Sequence, residues 1–243
     1  MIAYLRYMSM PEICSDAPTI ALVGSGEYLP GMEAVDRELL SRLPAEPRVV
    51  CLPTAAGQEG EQRIAYWSRL GVEHFTRLGA RVDSLPVIDP ASAADPFLAE
   101  RIAAANFVYL SGGKPDYLYR TLHGSPAWQA ILSVLDSGGL LAGCSAGAMV
   151  LGEKIMGFPG RNAGFALLPG SLVVPHYDEF PRSLVAVVRW LTSSKLTIYG
   201  IEANTALVCS EGATEVLGSG GVTVWTRRST TRFTQGPLPT SNP

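Results

Sequence analysis

A serine between two glycines is the strongest chemical signal in the sequence. Residues 143–147 read Gly-Cys-Ser-Ala-Gly, a G-x-S-x-G pattern that follows a glycine pair and a short apolar run. Such a pattern is typical of a sharp strand-to-helix turn that exposes a serine hydroxyl in a strained conformation. Backbone N–H groups at the start of the following helix can then stabilise an oxyanion. The pattern predicts Ser145 as the nucleophile of an acyl-transfer reaction; the alternative is a bystander serine in a glycine-rich turn.

Cys144 is a second candidate nucleophile within the same motif. It precedes the apex of the turn by one residue, so its side chain is expected to point away from the site and into the core. A small buried thiol is the interpretation that this position favours.

A serine hydroxyl needs a base near neutral pH, and that base needs a third group that fixes its tautomer. The chain has three histidines, and only His176 directly ends a short apolar, strand-like run. His123 follows a helical segment and His74 lies within one, where structural roles are expected. The sequence therefore predicts His176 as the base, with a surface histidine beside two acids as the alternative.

Three acids are candidates for the group that orients His176: Asp178, Glu179 and Glu202. Asp178 lies on the same side of an extended segment as His176, because side chains alternate along a strand. Glu202 follows the apolar run at residues 197–201 and so lies at a strand end. The residue types alone leave this choice open.

Apolar runs alternate with helical periodicity over the first part of the chain. Strands are predicted at residues 19–23, 48–54, 81–88, 106–110 and 140–143, and helices at 32–43, 60–78, 91–105, 117–122 and 128–135. This alternation predicts a three-layer α/β fold with a mostly parallel sheet and helices on both faces. Ligands bind beyond the carboxyl ends of such strands. The glycine turns at residues 24–26 and 111–113 should therefore converge with Ser145 at one edge.

The pattern changes after the serine motif. Residues 160–170 are glycine-rich, a short strand follows at 172–175, a helix at 182–191 and a strand at 197–201. Three further short strands, at residues 206–209, 214–217 and 221–226, are expected to form an antiparallel edge to the sheet. We predict a loosely ordered leader over residues 1–17, a single α/β domain over 18–228 and a flexible tail over 229–243.

Composition narrows the class of protein. The 243 residues are 47% hydrophobic and 17% charged, with a formal net charge of −3 and no Lys/Arg run, which argues against a nucleic-acid surface. No apolar run reaches the length of a membrane span, and no export signal is evident. The four cysteines are scattered without metal-ligand spacing, so we expect no metal, no cofactor and a cytoplasmic location.

Four segments together resemble a known family. Residues 143–148 resemble the nucleophile motif of the serine peptidase family that contains dipeptidase E and cyanophycinase. Residues 111–118 resemble its glycine-pair segment, 168–178 its histidine segment and 200–207 the segment after the next helix. These segments follow the family's order and span roughly residues 19–226. The resemblance implies the class I glutamine amidotransferase-like, flavodoxin-like fold, with serine in place of the cysteine of those enzymes.

The resemblance also implies roles for individual residues. It implies Ser145 as nucleophile, His176 as base, and the backbone N–H groups of Gly113 and Ala146 as the oxyanion hole. Glu202 is predicted to orient His176, with Asp178 as the alternative; relatives commonly carry glutamate at the position that aligns with Ala203. Lys114-Pro115 follows the glycine pair where relatives often have polar residues, so substrate specificity is not carried over.

These observations predict a serine-type peptidase that hydrolyses short peptides or isopeptides through an acyl-serine. The alternatives are an amidase or esterase acting on a non-peptide metabolite, and a catalytically silent ligand-binding protein. A small peptide is the expected partner, without nucleic acid or membrane, and a homodimer is left open. The candidate substrate-binding residues are Gly26, Glu27, Gly112, Lys114, Arg161, Tyr177 and Arg182; the Lys and Arg residues among them could bind a substrate carboxylate.

Overall fold

The computed structural model describes residues 18–156, 163–179, 196–210 and 212–239. Within these residues the strands are β1 (Thr19–Val23), β2 (Arg48–Leu52), β3 (Arg81–Ser84), β4 (Phe107–Leu110), β5 (Leu140–Cys144), β6 (Gly152–Lys154), β7 (Leu168–Val174), β8 (Thr197–Ile201), β9 (Thr205–Ser210), β10 (Ala213–Gly218), β11 (Val222–Trp225), β12 (Thr230–Phe233) and β13 (Gly236–Pro237). The helices are α1 (Glu33–Ser41), α2 (Glu61–Arg77), α3 (Pro90–Ala93), α4 (Pro96–Ala103), α5 (Pro115–Leu122), α6 (Pro126–Asp136) and α7 (Ala146–Leu151), with 3-10 turns at Pro30–Met32 and Thr54–Ala56.

The main sheet places the predicted site at one edge. In the described part of the chain its strand order is β13-β10-β9-β1-β5-β4-β2-β3. The neighbours β1, β5, β4, β2 and β3 run parallel, and β9, β10 and β13 add an antiparallel edge. This arrangement confirms the predicted α/β fold with a mostly parallel sheet. The segments after β1, β4 and β5 meet where the carboxyl ends of the parallel strands lie.

Alternating side chains of the central strands are buried on both faces of this sheet. Val23 of β1 belongs to a buried cluster with Leu39 of α1 and Phe75 of α2, whereas Leu22 belongs to a second cluster with Ile131 of α6. Helices therefore cover both faces, as predicted from the alternation of strands and helices. No helix among the described residues is long and apolar enough to cross a membrane.

A second sheet, ordered β12-β11-β8-β7-β6, carries the histidine segment. Residues 221–226 were expected at the antiparallel edge of the main sheet, but β11 pairs with β8 instead. The reason lies in the two apolar faces of these strands. Val173 and Val222 join the main core, while Leu172 and Trp225 pack on the opposite side. A separate sheet covers both faces, whereas an edge position would leave one face in water.

The helix predicted over residues 91–105 is two helices, α3 and α4. Pro96 lacks an N–H group and cannot continue the first helix, so it begins the second one. Asp95 caps that helix by accepting a hydrogen bond from the Phe97 N–H at 2.9 Å. Asp89 and Ser92 form a capping box that starts α3. Two caps within a few residues therefore fix the break.

Strands β12 and β13 lie in the segment that composition predicts to be a flexible tail. They pair with β11 and β10, respectively. The threonines of β12 favour extended backbone, and Arg232 of the same strand forms an ion pair with Glu202. The leader predicted at residues 1–17 and the helix predicted at 182–191 lie outside the described residues.

Candidate active site

Ser145 lies at a tight turn between β5 and α7, with φ 51° and ψ −110°. Residues with a side chain rarely adopt this left-handed conformation. The Ser145 N–H donates to the Val23 carbonyl at 3.0 Å, which ties the turn to β1. A Cβ on Gly143 would meet the Gly147 carbonyl, and a Cβ on Gly147 would meet the Leu110 carbonyl. The two glycines of the motif therefore let α7 pack directly on β4 and β5.

His176 stands beside the serine. It follows β7, has φ 51°, and its Nε2 lies 3.1 Å from Ser145 Oγ. The Tyr177 N–H donates to the Ile201 carbonyl and the Glu179 N–H to the His176 carbonyl, both at 3.0 Å, so the turn is held against β8. With its proton on Nδ1, the imidazole accepts a hydrogen bond from the serine hydroxyl, which is the arrangement that a general base needs.

The carboxylate of Glu202 binds a different partner. Arg232 donates to it through two nitrogens, each at 2.6 Å, and the Gly221 N–H donates at 2.8 Å. Within the described residues none of its hydrogen bonds reaches His176, the side chain that Glu202 was predicted to orient. The geometry instead makes Glu202 a link between the end of β8 and the strands β11 and β12.

Asp178, the alternative acid, accepts a hydrogen bond from the Ala203 N–H at 2.9 Å and is exposed. In the part of the chain described here it has no hydrogen bond to the imidazole of His176. Glu202 and Ala203 are neighbours after β8, and neighbouring residues of an extended chain point to opposite sides. The Ala203 N–H faces Asp178 in the histidine turn, whereas the side chain of Glu202 points towards Arg232.

We expect Glu202→Gln to lower the free energy of unfolding at pH 7 by about 1 kcal/mol, since a two-point charged pair on a half-exposed guanidinium is lost. The hydrogen bonds from Arg232 lower the pKa of Glu202. The stabilisation is therefore present above the ordinary pKa of about 4.3 and disappears as the pH falls through the lower, folded-state pKa. Urea unfolding at several pH values measures this dependence.

The matched control is Glu59→Gln, which removes an exposed ion pair between Glu59, just before α2, and Arg63 of that helix. That change should cost about 0.3 kcal/mol or less. If Glu202→Gln left stability unchanged and abolished turnover, Glu202 would have to act on His176 rather than on Arg232.

Cys144 is fully buried on the core side of the turn. Its S–H donates to Glu27 Oε2 at 3.0 Å. Burial, together with the negative charge of Glu27, raises the pKa of the Cys144 thiol well above its ordinary value. A protonated, buried thiol is a poor nucleophile, so the geometry favours Ser145 over Cys144.

Residues 111–114, the glycine-pair segment, lie across from the serine. Three of their four N–H groups donate to described residues: Ser111 to the Leu52 carbonyl at 3.3 Å, Gly112 to Glu27 Oε1 at 3.0 Å and Lys114 to the Ala55 carbonyl at 2.9 Å. Gly113 has φ 141°, a conformation that favours glycine. Its N–H donates to no acceptor among the described residues, and the same holds for Ala146 at the start of α7. These are the two donors predicted for the oxyanion hole.

Three of the predicted substrate-binding residues, Gly26, Glu27 and Gly112, belong to the two glycine segments that follow β1 and β4. Gly26 has φ 89°, and a Cβ there would lie 2.5 Å from the Asn204 amide oxygen. Glu27 is buried, and its carboxylate is bound by the Gly112 N–H and the Cys144 thiol. These hydrogen bonds direct Glu27 into the protein rather than towards a substrate.

Two further candidates, Lys114 and Tyr177, lie in different segments of the described chain. Lys114 is exposed and immediately precedes α5. The Tyr177 hydroxyl accepts a hydrogen bond from Trp225 Nε1 at 2.8 Å, which anchors the histidine turn to β11. Arg161 and Arg182 lie outside the described residues.

Asn204 lies in the turn between β8 and β9 and contacts the glycine turn after β1, a contact that the sequence did not predict. It adopts φ 51°, and its N–H donates to the Ser25 carbonyl at 3.0 Å. Its side-chain amide fills the space left by Gly26 and Gly31. Asparagine tolerates left-handed backbone better than most residues, so an asparagine three residues after the end of β8 indicates a turn there.

Comparisons with known proteins place this site in a family. The family model of peptidase family S51 matches residues 20–217. The chain is 31% identical over 172 residues to a cyanophycinase from Synechococcus elongatus, which covers 64% of this chain and 53% of that protein. The chain thus spans about half the length of this curated relative.

Solved structures show the same fold. A peptidase from an acI-B1 actinobacterium superposes with a TM-score of 0.83 at 35% identity, covering 90% of this chain and 95% of the other. A putative peptidase E protein from Listeria monocytogenes superposes with a TM-score of 0.65 at 20% identity, covering 84% of this chain and 100% of the other; at that identity the likeness concerns the fold. The match to the family model over most of the chain confirms the predicted resemblance, and the chain belongs to peptidase family S51.

Proposed function

We propose that this protein is a serine-type peptidase that hydrolyses short peptides or isopeptides through an acyl-serine intermediate. The observation that carries the proposal is the distance of 3.1 Å between Ser145 Oγ and His176 Nε2. It occurs at a turn where Ser145 has a left-handed backbone conformation. Membership of a peptidase family and the likeness to a cyanophycinase support the substrate class.

In the first step, Ser145 Oγ attacks the carbonyl carbon of the scissile bond while His176 Nε2 takes the hydroxyl proton. The carbonyl oxygen becomes negatively charged as the carbon becomes tetrahedral. The Gly113 and Ala146 N–H groups are the donors proposed for this oxyanion. Donors held in place before the reaction stabilise the developing charge without having to reorganise.

In the second step, the imidazolium of His176 gives its proton to the leaving amine and the carbon–nitrogen bond breaks. The acyl group remains on Ser145. Water then attacks the ester with His176 again as base, and the tetrahedral intermediate collapses to a carboxylic acid and free serine. The cycle requires no electron transfer and returns both residues to their starting state.

Asp178 supports the base through the backbone in this proposal. Its carboxylate accepts the Ala203 N–H, so the turn that bears His176 is fixed to the end of β8. Asp178 is therefore proposed as a positioning residue, and Glu202 as a stabilising one. Location in a reducing cytoplasm is also proposed, supported by the free buried thiols of Cys51 and Cys144.

A substrate panel tests the proposed function. It contains α-linked dipeptides with acidic or neutral first residues, the corresponding isopeptides, a simple amide and an ester. We expect amine release from at least one peptide or isopeptide by the wild-type protein and none from Ser145→Ala. Exclusive turnover of the ester or the simple amide would favour the non-peptide alternative, and turnover by both proteins alike would reject Ser145.

A further inference from the structure

Glu27 is a buried carboxyl group beneath the serine turn that the proposed mechanism does not use. It lies directly after the glycine turn that follows β1 and is 7% exposed. Its two oxygens have separate partners: Oε1 accepts the Gly112 N–H at 3.0 Å, and Oε2 accepts the Cys144 S–H at 3.0 Å. No ion pair to a basic side chain compensates it among the described residues. A buried carboxylate without a cation is costly to fold, so it calls for an explanation.

Gly112 stands between Glu27 and the nucleophile. A Cβ on Gly112 would lie 2.8 Å from Glu27 Oε1, 3.4 Å from Ser145 Cβ and 3.8 Å from Ser145 Oγ. The backbone of the glycine-pair segment therefore occupies the gap between the two side chains. A shift of Glu27 would act on this backbone through the hydrogen bond from the Gly112 N–H.

The hydrogen bond from the Gly112 N–H to Glu27 lies between two other hydrogen bonds that hold residues 111–114. The Ser111 N–H is tied to the Leu52 carbonyl at the end of β2, and the Lys114 N–H to the Ala55 carbonyl in the turn after it. Between these two anchors, and among the described residues, the Gly112 N–H is restrained by its hydrogen bond to Glu27 alone. The carboxylate thus holds the peptide group next to the donor proposed for the oxyanion.

We propose that Glu27 is a positioning residue that holds the Gly112–Gly113 backbone against the serine turn and so sets the oxyanion hole. The proposal rests on the proposed function for its catalytic consequence. Its structural part, that Glu27 orders residues 112–113, stands independently. The role depends on the reach of the side chain and on an acceptor atom, not on negative charge.

Two conservative variants of Glu27 distinguish the effect of side-chain length from the effect of negative charge. Glu27→Gln keeps the length and a carbonyl acceptor for the Gly112 N–H, and its NH2 group faces the Cys144 sulfur, a weak acceptor. Glu27→Asp keeps the charge but withdraws the oxygens by one methylene, about 1.5 Å. Glu153→Asp is the matched control, because Glu153 also accepts a glycine N–H, that of Gly170 at 2.7 Å, at the end of β7 remote from His176.

The first measurement is the rate constant for labelling of Ser145 by an alkyl fluorophosphonate. We expect Glu27→Gln to stay within about threefold of the wild type and Glu27→Asp to fall by roughly 10- to 100-fold, the scale of a displacement near 1 Å. The pH midpoint of labelling should not move, since the base is untouched. Glu153→Asp should lose stability and keep its labelling rate.

The second measurement is amide hydrogen exchange of a peptide that covers residues 112–113. Glu27→Asp should exchange faster than wild type there, whereas Glu27→Gln should not. A wild-type protein that is never labelled would reject the proposed function, and exchange alone would then decide the role of Glu27. The inference is overturned if Glu27→Asp changes neither exchange nor labelling, or if Glu27→Gln loses labelling while Glu27→Asp retains it.

Discussion

Replacing Ser145 with alanine should lower hydrolysis of the best panel substrate by at least about 10⁴-fold, the scale at which removal of a nucleophile acts in serine hydrolases. The alanine keeps the fold of the turn, so KM and thermal stability should change little. The residual rate would reflect the oxyanion donors and substrate binding alone. Steady-state kinetics with each protein at matched concentration measure the effect.

The control for this prediction is Cys144→Ala at the adjacent position. Cys144 is buried and donates to Glu27, so its loss should cost about 1 kcal/mol of stability through packing. Turnover should remain within about threefold of wild type, because the thiol does not reach the substrate. Loss of turnover in Cys144→Ala with retention in Ser145→Ala would transfer the nucleophile to the cysteine.

The second large effect is expected for His176→Gln. Glutamine fills a similar volume but cannot take the serine proton, so kcat should fall by roughly 10⁴- to 10⁶-fold. Fluorophosphonate labelling of Ser145 needs the same base, so the glutamine variant should be labelled far more slowly than the wild type.

His123→Gln is a suitable comparison, since His123 packs against Tyr119 at the end of α5 and has no contact with the serine. It should retain the labelling rate of the wild type. Labelling of His176→Gln at the wild-type rate would mean that another group acts as base.

Local patterns predicted a strand-to-helix turn at Ser145 and a strand before His176, and the structure has both. The G-x-S-x-G spacing encodes a turn through contacts between neighbours in sequence: Gly143 and Gly147 leave room that no other residue would leave. The same locality predicts the burial of Cys144, because a residue beside the apex must face the other way. His176 was predicted as the base because it follows a strand, and side chains at such positions reach the carboxyl edge of a sheet.

Local patterns do not encode the side-chain direction of the acid that was predicted as the third member of the triad. The direction of the Glu202 side chain depends on the register of β8 and on Arg232, which lies in a segment whose composition suggests a tail. Residues far apart in sequence carry no periodic signal of their pairing. A one-residue change in register reverses the direction of every side chain, so the sequence favours an acid there without fixing where it points.

Long-range packing also determined the features of the fold that sequence patterns missed. The second sheet forms because β7, β8 and β11 have apolar side chains on both faces, and alternation alone does not reveal which sheet covers them. The break between α3 and α4 is different, because Asp95-Pro96 is a local signal for a helix start. Helical periodicity on either side of that pair obscured it.

In the proposed reaction, Ser145 is the nucleophile of an acyl transfer and His176 is its base. The most direct test is to treat the wild-type protein with an alkyl fluorophosphonate and to locate the adduct by peptide mass spectrometry. We expect one adduct per chain, on Ser145, absent from Ser145→Ala and formed far more slowly in His176→Gln. An adduct on Cys144 or elsewhere in the chain, or no adduct in a protein that hydrolyses peptides, would contradict it.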